Sequence, residues 1–276
     1  MTDEEAMPEE RRWLLRNGRN IIIDMLANGE PVMALGIRAA RTVDIVKVAK
    51  ATGHHLIWID LEHSAMSTDT CAQLCSAALD AQIVPFVRVP EREYGMIGRL
   101  LDGGAVGIMV ARVESAAQAT DLARACKFQP DGVRSQIVGL PLFNLKRVPA
   151  PHHNRLANKA TVFMPLIESE LGCRKIEEIA AVDGVDLIGS GSNDFTAELG
   201  ELGNYKHPTL VNGYKAAIKA CQKHGKPFSV GGIGDMAQNK EWIKAGATPL
   251  LFSAIDSEFI RDALQEKVKS VFAGWR

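Results

Sequence analysis

A closed eight-stranded α/β barrel is the fold this sequence predicts, and two observations carry it. Short apolar runs alternate with helical stretches along most of the chain, eight of each, and the 276 residues match the ~250 that such a barrel needs as one unit. A hydrophobic content of 46% is enough to fill a core of that size. A doubly wound open sheet is the rival, but it would carry a Gly-rich phosphate turn after its first strand, and Gly36-Ile37-Arg38-Ala39-Ala40 is not one. The whole chain, 1–276, is therefore read as one barrel domain with a helical extension over 1–30.

The elements follow in order. Residues 9–28 have helical periodicity, with Trp13, Leu14, Ile21, Ile22, Met25 and Leu26 on one side and Gly29-Glu30-Pro31 as the stop. Strand-like runs then lie at 32–37, 55–59, 83–87, 106–110, 162–167, 186–190, 227–230 and 249–253. Helical stretches lie at 43–51, 71–80, 94–101, 116–127, 174–181, 210–223, 238–245 and 257–272. The one long irregular connection, 131–160, contains Pro141, Pro149 and Pro151 and is expected to cover the mouth of the active site.

Composition excludes several classes of function. With 32 basic against 33 acidic residues there is no electrostatic case for nucleic acid or an anionic membrane as partner. Cys71, Cys75, Cys126, Cys173 and Cys221 are odd in number and form no CxxC pair, as expected of reduced thiols in an intracellular protein. The start, Met1-Thr2-Asp3-Glu4-Glu5, is acidic where a targeting peptide would be basic, and no apolar run approaches membrane-spanning length. A cytosolic location is the expectation.

Chemistry in such a barrel belongs at the C-terminal ends of the strands. The fifth run ends in Glu168, and the sixth leads into Ser192, Asn193 and Asp194. One strand–helix–strand crossover separates these two acids, so they belong at the ends of neighbouring strands. Singly, Glu168 is a solvated strand-end acid and Asp194 an N-cap of the turn Phe195-Thr196-Ala197-Glu198. Together they invite a shared cation. Hard oxygen ligands suit Mg²⁺ or Mn²⁺, and two carboxylates leave most of an octahedral shell for water and substrate. The second run delivers Asp60-Leu61-Glu62-His63 and the third delivers Arg88. Arg88 is either a structural partner of Glu62 or Asp60 or a fixed cation facing substrate. His63 with Asp60 is either a loop pair or a base whose tautomer the carboxylate fixes. No strand end offers a lysine for Schiff-base chemistry.

Joined together, Ile59-Asp60-Leu61-Glu62-His63, Phe86-Val87-Arg88-Val89-Pro90, Gln129-Pro130-Asp131-Gly132-Val133-Arg134, Ile167-Glu168, Gly184-Val185-Asp186 and Asn193-Asp194-Phe195-Thr196-Ala197-Glu198-Leu199-Gly200 resemble the HpcH/HpaI family of class II, metal-dependent pyruvate aldolases. The resemblance implies a (β/α)8 barrel whose last helix is exchanged with a neighbour, assembled as a hexamer of paired protomers. It implies that Glu168 and Asp194 hold a divalent metal (Mg²⁺, Mn²⁺ or Co²⁺), that Arg88 touches the keto oxygen, and that His63 with Asp60 handles protons. The expected partners are a 2-oxo acid, pyruvate or oxaloacetate, and a carbonyl acceptor. The expected reaction makes or cleaves a carbon–carbon bond through a pyruvate enolate, with oxaloacetate decarboxylation as a side reaction. Backbone N–H groups around Ser192, Asn193 and Asp194 would bind the substrate carboxylate. The chain departs from the family pattern at Leu166, at Ala111-Arg112 and at Asn193, all close to the pocket. Two other readings stand beside this one, a citrate-lyase-type acyl-CoA lyase and a barrel serving as a non-catalytic binding or scaffold subunit.

Overall fold

The computed structural model describes residues 2–91 and 93–275. Eight strands form one parallel sheet: β1 Val32–Ile37, β2 Leu56–Asp60, β3 Val84–Val89, β4 Gly107–Val110, β5 Val162–Ile167, β6 Ile188–Gly191, β7 Phe228–Gly231 and β8 Leu250–Ile255. Each strand pairs with the next from β1 to β7, and β8 returns to pair with β1, leaving β7 and β8 as the seam. There the Thr248 N–H donates to the Phe228 carbonyl at 2.7 Å and the Ser229 hydroxyl to the Leu250 carbonyl at 3.4 Å, so the barrel is nearly closed. This is the predicted TIM-barrel architecture.

Strand alternation builds two concentric layers. Ala34, Leu56, Trp58, Val84, Phe86, Met109, Met164 and Leu166 point inward and fill the barrel. Leu35, Ile37, Ile57, Ile59, Val87, Ile108, Val110 and Phe163 point outward against the helices. Inside, large side chains meet glycines: a Cβ on Gly36 would come within 2.8 Å of the Trp58 ring. Serines start the helices on the C-terminal side. Ser67, Ser115 and Ser169 each accept a backbone N–H, at 3.1, 3.2 and 3.0 Å, from the first turn of the helix they precede.

The structure corrects two expectations. Residues 9–28 are not one helix but a 3-10 turn Glu9–Leu14, a hairpin of Leu15–Arg16 with Arg19–Asn20, and a short helix Ile21–Ala27. Asn17 and Gly18 sit at the hairpin tip with φ of 53° and 78°, the left-handed pair that a two-residue hairpin turn demands, and this overrides the helical periodicity. The long connection 131–160 is not an active-site cover. It contains the helix Ala150–Ala160 and, because it links a helix to the following strand, it lies at the opposite, N-terminal end of the barrel. There Leu140, Leu142, Phe143 and Leu156 join Met7, Leu14 and Ile22 beneath the inward layer.

Candidate active site

The inward alternation continues one step past the apolar layer and becomes polar. Ala34, Gly36 and Arg38 share a face, as do Leu56, Trp58 and Asp60, Val84, Phe86 and Arg88, and Met164, Leu166 and Glu168. Register then sets the neighbours. Asp60 pairs with Arg88 across β2 and β3, and Ile37 with Ile59 across β1 and β2, which brings Arg38 beside Asp60.

Asp60 is fully buried and saturated. It accepts from Arg88 Nε and Nη2 at 3.0 and 2.6 Å, from Arg38 Nε at 2.6 Å, and from the backbone N–H groups of Glu62 and His63 at 3.1 and 3.2 Å. Burial alone would raise its pKa, but the bonds and charge of Arg88, with help from Arg38, hold it below the usual carboxylate value. The expected pairing of Asp60 with the His63 imidazole is not formed. The carboxylate binds the His63 main chain, and the half-exposed ring instead stands with Nε2 3.7 Å from Glu62 Oε2. Glu62 also faces Arg88 Nη1 at 3.0 Å, so it joins the arginine to the histidine. The sequence reading gave Glu62 only a structural place. Beneath Arg88 lies the Trp58 ring, 5.0 Å from the guanidinium carbon.

Glu168 is 4% exposed. Its Oε2 accepts the Arg112 N–H at 3.0 Å, and a Cβ on Gly191 would fall 2.2 Å from its Oε1, so only glycine leaves room at that point of β6. Arg112 reaches its position with φ 51°, a left-handed conformation that costs a non-glycine residue ~1 kcal/mol or more. Burial first, then the nearby charges of Glu62 and Asp194, push the Glu168 carboxyl up to about 7, against the weaker opposing pull of the Arg112 N–H and Arg88. Glu62 is raised as well, chiefly by burial, with Asp60 and Asp194 adding to it.

The short helix Ser192–Glu198 follows β6 and is capped by Gly191, so Asp194 is not an N-cap but an exposed first-turn acid. The Ser192 hydroxyl is committed to the protein, donating to the Gly231 carbonyl at 2.6 Å and meeting the Tyr214 hydroxyl at 3.0 Å. Asn193 Oδ1 accepts from the Tyr205 hydroxyl at 2.6 Å. Cavities of about 570 and 530 Å³ lie on the helical shell and near the N-terminal end, and neither contains any of these residues.

The site thus gathers three carboxylates, Glu62, Glu168 and Asp194, beside an arginine already bound to a fourth, and burial together with the neighbouring acids raises the proton affinity of Glu62 and Glu168. Among the described residues no three His, Cys, Asp or Glu side chains form a ready metal cage. Two acids with an open remainder still fit a divalent cation. A carboxylate pushed up to about 7 by burial and like charge is one that a cation would relieve.

Comparison with known proteins agrees with this geometry. Residues 38–249 match the family model described as HpcH/HpaI aldolase/citrate lyase. A 4-hydroxy-4-methyl-2-oxoglutarate aldolase of Hapsidospora irregularis is 33% identical over 228 residues, covering 81% of this chain and 83% of the relative. A 5-keto-4-deoxy-D-glucarate aldolase of Klebsiella pneumoniae is 30% identical over 222 residues, covering 80% and 84%. Among solved structures, an HpcH/HpaI aldolase from Desulfitobacterium hafniense superposes with a TM-score of 0.83 at 27% identity, covering 90% of this chain and 95% of that one. These relatives are aldolases by name, which speaks against a barrel without catalysis. The chain belongs to the HpcH/HpaI aldolase/citrate lyase family and is an enzyme of its aldolase type, a carbon–carbon lyase.

Proposed function

We propose that this enzyme makes or cleaves a carbon–carbon bond through the enolate of pyruvate, using a divalent metal held by Glu168 and Asp194. The observation that carries the reading is Glu168, a buried strand-end acid whose proton affinity two further acids raise, on the same rim as a fixed guanidinium. When bound, the metal would supply Lewis-acid stabilisation of the developing enolate charge, as Mg²⁺, Mn²⁺ and Co²⁺ can.

The protein's own groups have distinct tasks. Two N–H groups of Arg88 donate to Asp60 and its Nη1 stands 3.0 Å from Glu62, which fixes the plane of the guanidinium and leaves its remaining N–H groups for a keto or enolate oxygen. That charge is permanent, so stabilising the oxygen requires no proton transfer from Arg88. His63 moves the proton of the acceptor-derived hydroxyl, with Glu62 rather than Asp60 as the neighbouring carboxylate of its ring. Backbone N–H groups of Asn193 and Asp194, in the first turn of their helix, are donors for the substrate carboxylate, whereas the Ser192 hydroxyl is already occupied.

The acceptor is a second carbonyl compound, and oxaloacetate decarboxylation is a side reaction of the same enolate. We further read the enzyme as cytosolic, a location supported by five free, buried cysteines. A homo-oligomer is supported by the C-terminal helix Asp256–Trp275. It exposes Phe259, Ile260, Leu264, Val268, Val271 and Phe272, a stripe at helical spacing that suits packing on a second protomer, as in the hexamer the family resemblance implies.

The test is exchange of the pyruvate methyl protons with deuterium, followed by NMR. Exchange should appear with Mg²⁺, Mn²⁺ or Co²⁺ and stop after treatment with a chelator. Full exchange in a rigorously metal-free preparation would remove the metal from the account, and no exchange under any metal would remove the enolate.

A further inference from the structure

The polar layer holds a second guanidinium for which the chemistry above has no use. Arg38 follows β1 and donates from Nε to Asp60 Oδ2 at 2.6 Å, the oxygen that Arg88 Nη2 also reaches at 2.6 Å. Those two bonds to one atom bring the nitrogens within about 5 Å of each other. The Arg38 backbone is fixed as well. The buried Asp256 carboxylate accepts the N–H groups of Arg38, Ala39 and Ala40 at 2.9, 3.1 and 2.7 Å. The Trp58 ring lies 5.9 Å from its guanidinium carbon.

The outer edge of Arg38 is different. Its side chain is 25% exposed, Nη1 stands 3.5 Å from Glu258 Oε1, and Nη2 has no hydrogen bond among the described residues. Glu258 is itself half exposed, so this ion pair is the weak, solvent-screened kind that another carboxylate can displace. A planar guanidinium with a rigid base and an open edge is shaped for bidentate capture of a carboxylate. This open edge stands on the same rim as Arg88, to which Arg38 is joined through the shared Asp60 oxygen.

We propose that Arg38 binds a carboxylate on the acceptor, so that the enzyme prefers aldehyde acids and 2-oxo acids to uncharged carbonyl compounds. The proposal rests on the aldol reading of the site. In the reaction, the enolate carbon forms a bond to the acceptor carbonyl carbon, the carbonyl oxygen takes up a proton, and the carboxylate on Arg38 stays unchanged throughout.

The test compares glyoxylate with acetaldehyde as acceptors for pyruvate, since the two differ by a carboxylate in place of a methyl group. Wild type should show a higher kcat/KM with glyoxylate. In Arg38→Met the ratio of the two kcat/KM values should fall roughly 10- to 100-fold, mostly through the glyoxylate KM, the range for a lost charged hydrogen bond. Arg38→Lys should lie between. Using the ratio cancels any general damage to the site. Should Arg38→Met fail to fold, Glu258→Gln decides: removing the competing carboxylate should lower the KM for glyoxylate several-fold and leave acetaldehyde unaffected. A wild-type enzyme active on both acceptors whose ratio moves in neither variant overturns the role of Arg38. A wild-type enzyme that condenses pyruvate with neither overturns the aldol reading and the proposal with it.

Discussion

The two ends of the barrel both bury charge, yet they treat it in opposite ways. In the N-terminal segment, the inaccessible Asp24 is ringed by Arg16, by Arg19 Nε at 3.0 Å, and by the amides of Asn17 and Asn28 at 3.2 Å each. Burial would raise its pKa, but Arg16, Asn17 and Arg19 hold it below the usual carboxylate value. Nearby, buried Arg11 donates to the carbonyls of Leu79 and Pro141 and to Asp80. At the C-terminal rim, Glu168 is nearly as buried as Asp24 and its pKa moves the other way, to about 7. Burial of an acid therefore does not by itself mark a functional site. What marks it is buried negative charge that the protein's own cations do not offset, and among the described residues the carboxylates pushed upward are Glu62 and Glu168, both on the C-terminal rim.

Exchanging the acids for amides breaks this comparison most sharply. Glu168→Gln should abolish turnover and leave the metal-free fold intact. The sign can be worked out. Glu168 has its pKa raised from 4.5 to about 7, so the neutral form is favoured in the fold. Its stabilising share is fully present below the unfolded value and is lost as pH rises through about 7. At pH 8 the metal-free wild type carries the penalty of an ionised Glu168, on the order of 3 kcal/mol, which glutamine removes. Metal-free Glu168→Gln should then melt at or above the wild-type temperature at pH 8. Asp24→Asn should do the reverse, lowering Tm by several degrees while each folded molecule keeps its activity. Thermal melts with active-site-normalised rates check both.

His63→Ala comes next in size. If His63 moves the acceptor-hydroxyl proton, carbon–carbon cleavage should fall by ~10²–10⁴, the loss typical of a general base. Oxaloacetate decarboxylation on the same preparation, which needs no hydroxyl deprotonation, should survive much better. Equal losses in both reactions would assign His63 to the pyruvate end of the site. Arg88→Lys should have a smaller effect, about 2–4 kcal/mol in kcat/KM, because the charge remains and the planar fork is lost. A near-normal rate would reduce Arg88 to a partner for Asp60.

The contrast between the two ends was partly legible in the sequence. The eight strands were, because most are buried on both faces and read as short continuous apolar runs, and so were the acids and Arg88 at their ends. The pairing among those residues was not. Whether Asp60 meets His63 or Arg88 depends on the register of β2 against β3, which no single segment carries. Arg112 contributes to Glu168 through a backbone N–H, which leaves no mark in its residue type. Nothing in the segment Gly36-Ile37-Arg38-Ala39-Ala40 singles out Arg38, because its partner, Asp60, lies on the next strand. Two further misses were readable. Asn17-Gly18 is a strong hairpin signal that the apolar periodicity around it obscured. The 131–160 connection follows a helix and precedes a strand, an order that assigns it to the N-terminal end of any such barrel.

The central claim is that the C-terminal rim is built with missing positive charge, and metal titration of chelator-stripped protein tests it directly. Tm should rise with added Mg²⁺ or Mn²⁺. Binding requires Glu168, with its pKa of about 7, to give up its proton, so the metal concentration at half-effect should be roughly tenfold lower at pH 8 than at pH 6. Glu168→Gln should lose the response. Equal half-effect concentrations at the two pH values, with Glu168→Gln still responding as wild type does, would contradict the account.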